Sequence, residues 1–271
     1  MFWLRGVVGL LLAVSLTHAK EAPLKVAVIG GMVSSGMWER VEAAFEAREG
    51  IDVEVEVSGN KKELEEYVRA HQVDVITMHA SDTISNLVAD GLFERLTPWT
   101  RNAQMLVGAK SNPAHIEPSD TLNEALEKIE KSKSPFLVHP SGGTFEVVSA
   151  LKEHYNFNPD TIFLESKRGF LKEVVRHNGY TLFGVIPFLL QKEHHAKIEG
   201  YYIEDKSLER PYLAAIAHPS KVTKEVHAKA QKLLEFLTSK EAQEIVASYR
   251  MEGFERYPIF FPILNNHKVG Q

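Results

Sequence analysis

The chain has 271 residues, carries 31 Lys and Arg against 36 Asp and Glu for a formal charge of −5, and contains no cysteine. Without thiols it has no disulfides, thiolate nucleophiles, iron–sulfur clusters or thiolate zinc sites, and no lipid anchor through a cysteine at a cleavage site. A mild acidity with no basic stripe argues against a nucleic-acid partner, and the length admits one large domain or two ordinary ones with a sizeable core.

The first nineteen residues have the pattern of a secretory signal: a short basic region ending at Arg5, an apolar stretch from Gly6 to Leu16, and Thr17-His18-Ala19 before Lys20. Cleavage is expected after Ala19. A membrane anchor is the competing reading, but the apolar stretch is well short of the roughly 20 residues that a span requires. Charges break every later apolar run, so the mature product is expected to be a free, soluble protein of the periplasm and a monomer.

Leu24–Ile29 reads as a strand, followed by the small loop Gly30-Gly31-Met32-Val33-Ser34-Ser35 and by a helix over Met37–Arg48 with Met37, Val41, Ala44 and Phe45 on one face. Asp52–Val57 alternates as a second strand, and the Ser58-Gly59-Asn60 turn leads into a helix over Glu63–Ala70. Val73–Met78 is a third strand; Ile84, Leu87 and Val88 then mark a helix that stops at Gly91. Strands alternating with helices predict an α/β fold with a parallel sheet, whose ligands sit beyond the carboxyl ends of the strands. Gly30 to Ser35, Ser58-Gly59 and His79 to Ser81 all fall at such ends.

Gln104–Ala109 and Tyr212–Ala217 are apolar runs without neighbouring helical signal on their inner sides. Between them lie a strand over Phe136–Val138 and helices over 145–155 and 170–177. A helix over Val226–Leu237 follows, and Thr238-Ser239-Lys240-Glu241 opens another with a capping-box pattern. If both apolar runs are crossover strands, the first lobe is 20–103 plus 212–271 and the second is 104–211. The competing division is two sequential domains split near Pro113 to Pro118.

A helix start leaves its first backbone N–H groups unpaired and carries positive partial charge, so glycines and hydroxyls beside it suit an anion. Two such starts, at Gly30 to Ser35 and at Ser141 to Thr144, predict two jaws around one ligand. Ser141, Gly142, Gly143 and Thr144 are the candidate donors of one jaw, Ser34 and Ser35 of the other, with Ser58 and Ser81 as further donors at strand ends. Each also has an ordinary reading as a turn, cap or sheet-end residue. Trp38, directly after the first loop, offers a stacking surface for an organic ligand as a minor alternative. No Gly-x-Ser-x-Gly elbow, Walker loop, His-Glu-x-x-His or dinucleotide fingerprint occurs, so neither enzymatic activity nor a cofactor is expected. The 12 histidines show no i, i+4 pair joined to a spaced carboxylate, so no metal site is expected; His194-His195 read as a solvated helix face.

Several segments in order resemble the periplasmic substrate-binding proteins of ABC importers, of the tungstate-binding type. They are Gly50-Ile51-Asp52-Val53 after the first helix, Asp74-Val75-Ile76-Thr77-Met78-His79, Val107-Gly108-Ala109-Lys110-Ser111-Asn112-Pro113-Ala114, and Ser134-Pro135-Phe136 with its Gly-Gly-Thr. Gly179-Tyr180-Thr181-Leu182, Arg210-Pro211-Tyr212 with Ala215-Ile216-Ala217-His218-Pro219, and Phe236-Leu237-Thr238-Ser239-Lys240-Glu241-Ala242-Gln243 complete the set. The resemblance implies a two-lobed, periplasmic-binding-protein-like (type II) fold with crossover strands, closing on a small oxyanion of the tungstate or molybdate class for an ABC permease. It also implies an arginine ahead of the Ser-Gly-Thr, where this chain is shorter and has His139-Pro140-Ser141-Gly142-Gly143-Thr144. A fixed positive charge is therefore expected to be missing from the second lobe, with His139 as a titratable donor or a histidine bonded to a backbone carbonyl, and Arg168 as a surface charge or a reach into the cleft. Phosphate or a small organic acid as ligand, and a sensory module presenting its ligand state to a membrane receptor, stay open as alternatives.

Overall fold

A computed structural model of the chain describes residues 22–140, 143–166, 168–191 and 196–263. The expected secretory signal, Ser141 and Gly142, and His194-His195 lie outside the described residues.

The first strand, β1 (Leu24–Ile29), is buried along almost its whole length, as a central strand must be. It pairs in parallel with β2 (Val53–Gly59), an edge strand that turns Glu54 outward, and with β3 (Val75–His79). The segment expected as a loop after β1 is instead a short helix, α1 (Gly30–Ser34), and Gly36 at φ +81° turns the chain into α2 (Met37–Glu49). Both Met37 and Trp38 are buried in α2, and Trp38, 2% exposed, meets Trp99 edge-on at 6.5 Å. Trp38 is thus a core residue, so it offers an organic ligand no stacking surface. In α3 (Lys61–Ala70) Asn60 caps the N–H groups of Lys62 and Glu63 while the Glu63 carboxylate accepts from Asn60 N, a reciprocal box that fixes this helix start. A further helix, α4 (Asp82–Ala89), leads to the strand that organises the molecule.

That strand, β4 (Phe93–Ala109), is far longer than the run Gln104–Ala109 that hydropathy alone picks out. Its first part carries no unbroken apolar run because Glu94, Arg95 and Pro98 interrupt it, and it is tolerated as strand through register shifts at Glu94/Thr97 and Pro98/Thr100. It runs antiparallel to β9 (Glu209–Ala217) from Phe93 opposite Ala217 to Ala103 opposite Glu209. It then pairs with β7 (Tyr180–Gly184) and β8 (Ile198–Tyr201). The sheet order is β2-β1-β3-β9-β4-β7-β5-β6, with β5 (Phe136–Val138) and β6 (Thr161–Phe163) parallel at the far end and β10 (Phe260–Pro262) also on β4. Both crossover runs are therefore sheet strands, lying in β4 and β9 and joining the β1–β3 end of the sheet to the β5–β7 end.

Helices α5 (Leu122–Ser132), α6 (Gly143–His154), α7 (Phe170–Arg176) and α8 (Val185–Leu190) belong to the β5–β7 end; α9 (Lys224–Leu237) and α10 (Lys240–Ser248) return to the other. The cap of α10 is Ser239, which accepts from Ala242 N, so the Thr238-to-Glu241 box does not form. Gln243 on α10 is buried and ties three segments together. Its amide donates to Trp99 O at 2.8 Å and Leu237 O at 2.7 Å, and its oxygen accepts from Ile263 N at 2.9 Å. A second apolar core, from Leu106 to Leu208, fills the β5–β7 end; the larger one spans the rest of the sheet and reaches across to Phe170, Val174 and Ile186.

Candidate functional site

Strand register assembles the floor of a cleft between the two ends of the sheet. Arg210 lies opposite Asn102, and Tyr212 opposite His79. Because side chains two apart share a face, Arg210 and Tyr212 on β9 stand on one side with Asn102 and Gln104 on β4. The intervening residues, Pro211 and Ala103, turn the other way. Gly31 and Ser34 of α1 close the cleft from one end, and Thr144 of α6 with Phe183, Gly184, Ile186, Pro187 and Leu190 from the other, around about 390 Å³. Ile186 comes close to Gly31 across the gap.

Arg210 dominates the electrostatics. Its side chain is 12% exposed, and burial pulls the guanidinium below the usual arginine range, with Glu146 opposing that shift. Glu146 Oε2 is 3.5 Å from Arg210 Nη2 and is itself 61% exposed, a weak counter-ion for so buried a cation. The guanidinium packs against Gly143, where a Cβ would collide with it, and so sits at the first turn of α6. A cation beside the positive end of a helix is unfavourable unless an anion lies with both.

The other floor residues are neutral and incompletely bonded. His79 Nε2 is 3.2 Å from Asn102 Oδ1 and its ring stacks on Tyr212 at 4.1 Å. Burial first, then the charges of Arg210 and Lys61, pull the His79 pKa down to about 3 against the Asn102 bond. The ring is therefore neutral at pH 7; bonding to Asn102 Oδ1 places its proton on Nε2 and leaves the Asn102 amide N–H₂ as a donor. Gln104 Oε1 and Tyr212 OH, in residues 3% and 0% exposed, have no hydrogen-bond partner among the described residues. Buried polar groups of this kind are otherwise nearly always satisfied, so two of them lining one cleft mark a place for a ligand's polar atoms.

Of the residues expected from sequence, Ser34, Gly143 and Thr144 come together here: Ser34 and Thr144 line the cleft, and Gly143 abuts Arg210. Ser35 turns away, its hydroxyl bonded to Met32 O at 3.1 Å and accepting from Met37 N. Ser81 Oγ donates to His79 O at 3.2 Å, Ser58 is exposed at the end of β2, and neither lines the cleft. His139 Nε2 contacts Glu165 O at 2.9 Å and Arg168 is exposed; both stand outside it. The residues that sequence reasoning passed over are Asn102, Gln104, Arg210 and Tyr212. The cleft does hold a fixed positive charge, Arg210 of β9, which lies within the range 104–211 from which such a charge was expected to be missing. Among the described residues no cluster of three or more His, Cys, Asp or Glu is placed to hold a metal, and no helix is long and apolar enough to cross a membrane.

The model of the bacterial extracellular solute-binding protein family matches residues 24–252, and the chain belongs to that family. It is similar in fold to the tungstate-binding protein TupA of Desulfovibrio alaskensis G20, with a TM-score of 0.69 at 19% identity, over 89% of this chain and 99% of that one. A protein of Haloferax volcanii that bears the name of an ABC transporter anion-binding protein is 23% identical over 92% of this chain and 75% of its own length. A histidinol-phosphate aminotransferase of Bacillus thuringiensis is 24% identical over 60% of this chain, which spans about half (49%) of that enzyme's length.

Proposed function

We propose that this solute-binding protein captures a small oxyanion, of the class to which tungstate and molybdate belong, in the cleft over Arg210 and delivers it to an ABC permease. The observation that carries this reading is Arg210, a nearly buried guanidinium set against the start of α6 with only partial neutralisation by Glu146. Around it, Thr144, Tyr212, Asn102 and the α1 turn offer neutral donors fixed in place by the sheet, which stabilise an anion without reorganising when it arrives. The tungstate-binding neighbour and the anion-binding relative support the same class of ligand. In this reading residues 20–103 with 212–271 and residues 104–211 are two lobes hinged on β4 and β9, the ligand is taken up in the periplasm after removal of the signal, and the protein acts as a monomer without enzymatic activity.

Titration calorimetry of the mature protein with tungstate, molybdate, sulfate and phosphate tests the proposal. One of these anions is expected to bind at a single site and to bind roughly 10- to 150-fold more weakly in Arg210→Gln. Equal binding by the variant would move the site away from Arg210.

A further inference from the structure

The wall of the cleft opposite α1 is chemically unlike its floor. It is built from the end of β7 and from α8, where the run Phe183-Gly184-Val185-Ile186-Pro187-Phe188-Leu189-Leu190 contains no hydrogen-bonding side chain. Phe183, Ile186, Pro187 and Leu190 line the cleft, and Leu190 is 48% exposed. Pro187, the third residue of α8, removes one of the N–H groups that a helix start would offer, so the backbone supplies fewer donors on this wall. A small inorganic oxyanion held on Arg210 makes no use of this hydrocarbon wall. An anion charged at one end and apolar at the other meets both surfaces: two oxygens face the planar guanidinium, and the hydrocarbon covers the wall.

On the reading that Arg210 anchors an oxyanion, we propose that the cleft contains a separate apolar subsite on β7 and α8, through which it also takes a short-chain organic carboxylate, with its carboxylate on Arg210 and its hydrocarbon against Phe183, Ile186, Pro187 and Leu190. The cleft, at about 390 Å³, has room for such a group: at about 30 Å³ per water-sized unit it exceeds what a five-atom inorganic anion fills.

The test is a calorimetric series at constant ionic strength: acetate, butanoate and hexanoate against the mature protein, with tungstate and sulfate as the inorganic arm. Burial of a methylene is expected to raise affinity about three- to fourfold, so hexanoate should bind at least about tenfold more tightly than acetate. Leu190→Ser, at a half-exposed position, should flatten the rise in affinity from acetate to hexanoate, and Arg210→Gln should weaken binding of all three acids roughly 10- to 150-fold. The same affinity from acetate to hexanoate, or binding of tungstate with none of the acids, overturns the apolar subsite and leaves the oxyanion reading standing. No binding by any anion, inorganic or organic, overturns both.

Discussion

Arg210 is where the chemistry of the molecule concentrates, and nothing in its local sequence announces that. In Glu209-Arg210-Pro211 it looks like one more charge ahead of an apolar strand; only the β9 register, which sets it opposite Asn102 and beside Gly143, makes it the floor of a cleft. A charge-assisted hydrogen bond is worth about 1.5–3 kcal/mol, so Arg210→Gln should weaken anion binding by roughly 10- to 150-fold, measured by titration calorimetry. Lysine, with a point charge and no planar fork, should restore only part of it. His79 gives a second prediction at this scale. Its native pKa of about 3 lies below the ordinary histidine value, so below pH 6.5 the unfolded chain binds a proton that the folded one refuses. Stability from this group is complete above about pH 6.5 and is lost as pH falls toward 3, at up to about 1.4 kcal/mol per pH unit. Denaturant midpoints at pH 7 and pH 4.5 should therefore differ less in His79→Gln than in the wild type. An equal loss in both proteins would mean that His79 titrates normally.

The elements of the first half of the chain were legible because their signals are local: the apolar run of β1, the spacing of Met37, Val41 and Phe45, and the turn at Gly59-Asn60. The long β4 was not, since its first part, broken by Glu94, Arg95 and Pro98, is held as strand by pairing with β9, which is distant in sequence. The same limit governs the donors at the helix starts. Thr144 and Ser34 line the cleft; because α1 is a helix and not an open loop, both serine hydroxyls bond back within it, Ser34 to Gly31 O and Ser35 to Met32 O, and Ser35 does not reach the cleft. Ser35→Ala should accordingly leave anion affinity within about twofold, as expected for a side chain that makes no contact there, while Gly143→Ala should weaken binding, by no more than the loss of Arg210 does, because its Cβ displaces the guanidinium. Gln243 tests how α10 is held on β4. Replacing it by leucine strands Trp99 O, Leu237 O and Ile263 N, each worth about 1–3 kcal/mol when buried without a partner. A fall in melting temperature of roughly 6–12 °C is expected for a loss of about 3 kcal/mol. A shift under 2 °C would show that water or a neighbour satisfies those groups.

Across the whole molecule, the two crossover strands do more than link the ends of one sheet. They carry Asn102, Gln104, Arg210 and Tyr212 to the place where α1 and α6 face each other, so anything bound there touches both ends at once. This explains why the family could be read from the order of weak segments along the chain while the site's cation could not: order follows the chain, and the cation is set by pairing between residues that are distant in sequence. In the proposed function an oxyanion lies in that cleft, against Arg210. Anomalous scattering at the tungsten edge, from crystals of the mature protein grown with tungstate, locates the anion without reference to affinity. A single strong peak is expected within about 4 Å of the Arg210 guanidinium nitrogens, on the side facing Thr144, as a charge-assisted hydrogen bond from nitrogen to an oxygen on tungsten requires. A peak elsewhere with the cleft empty of tungsten would contradict it.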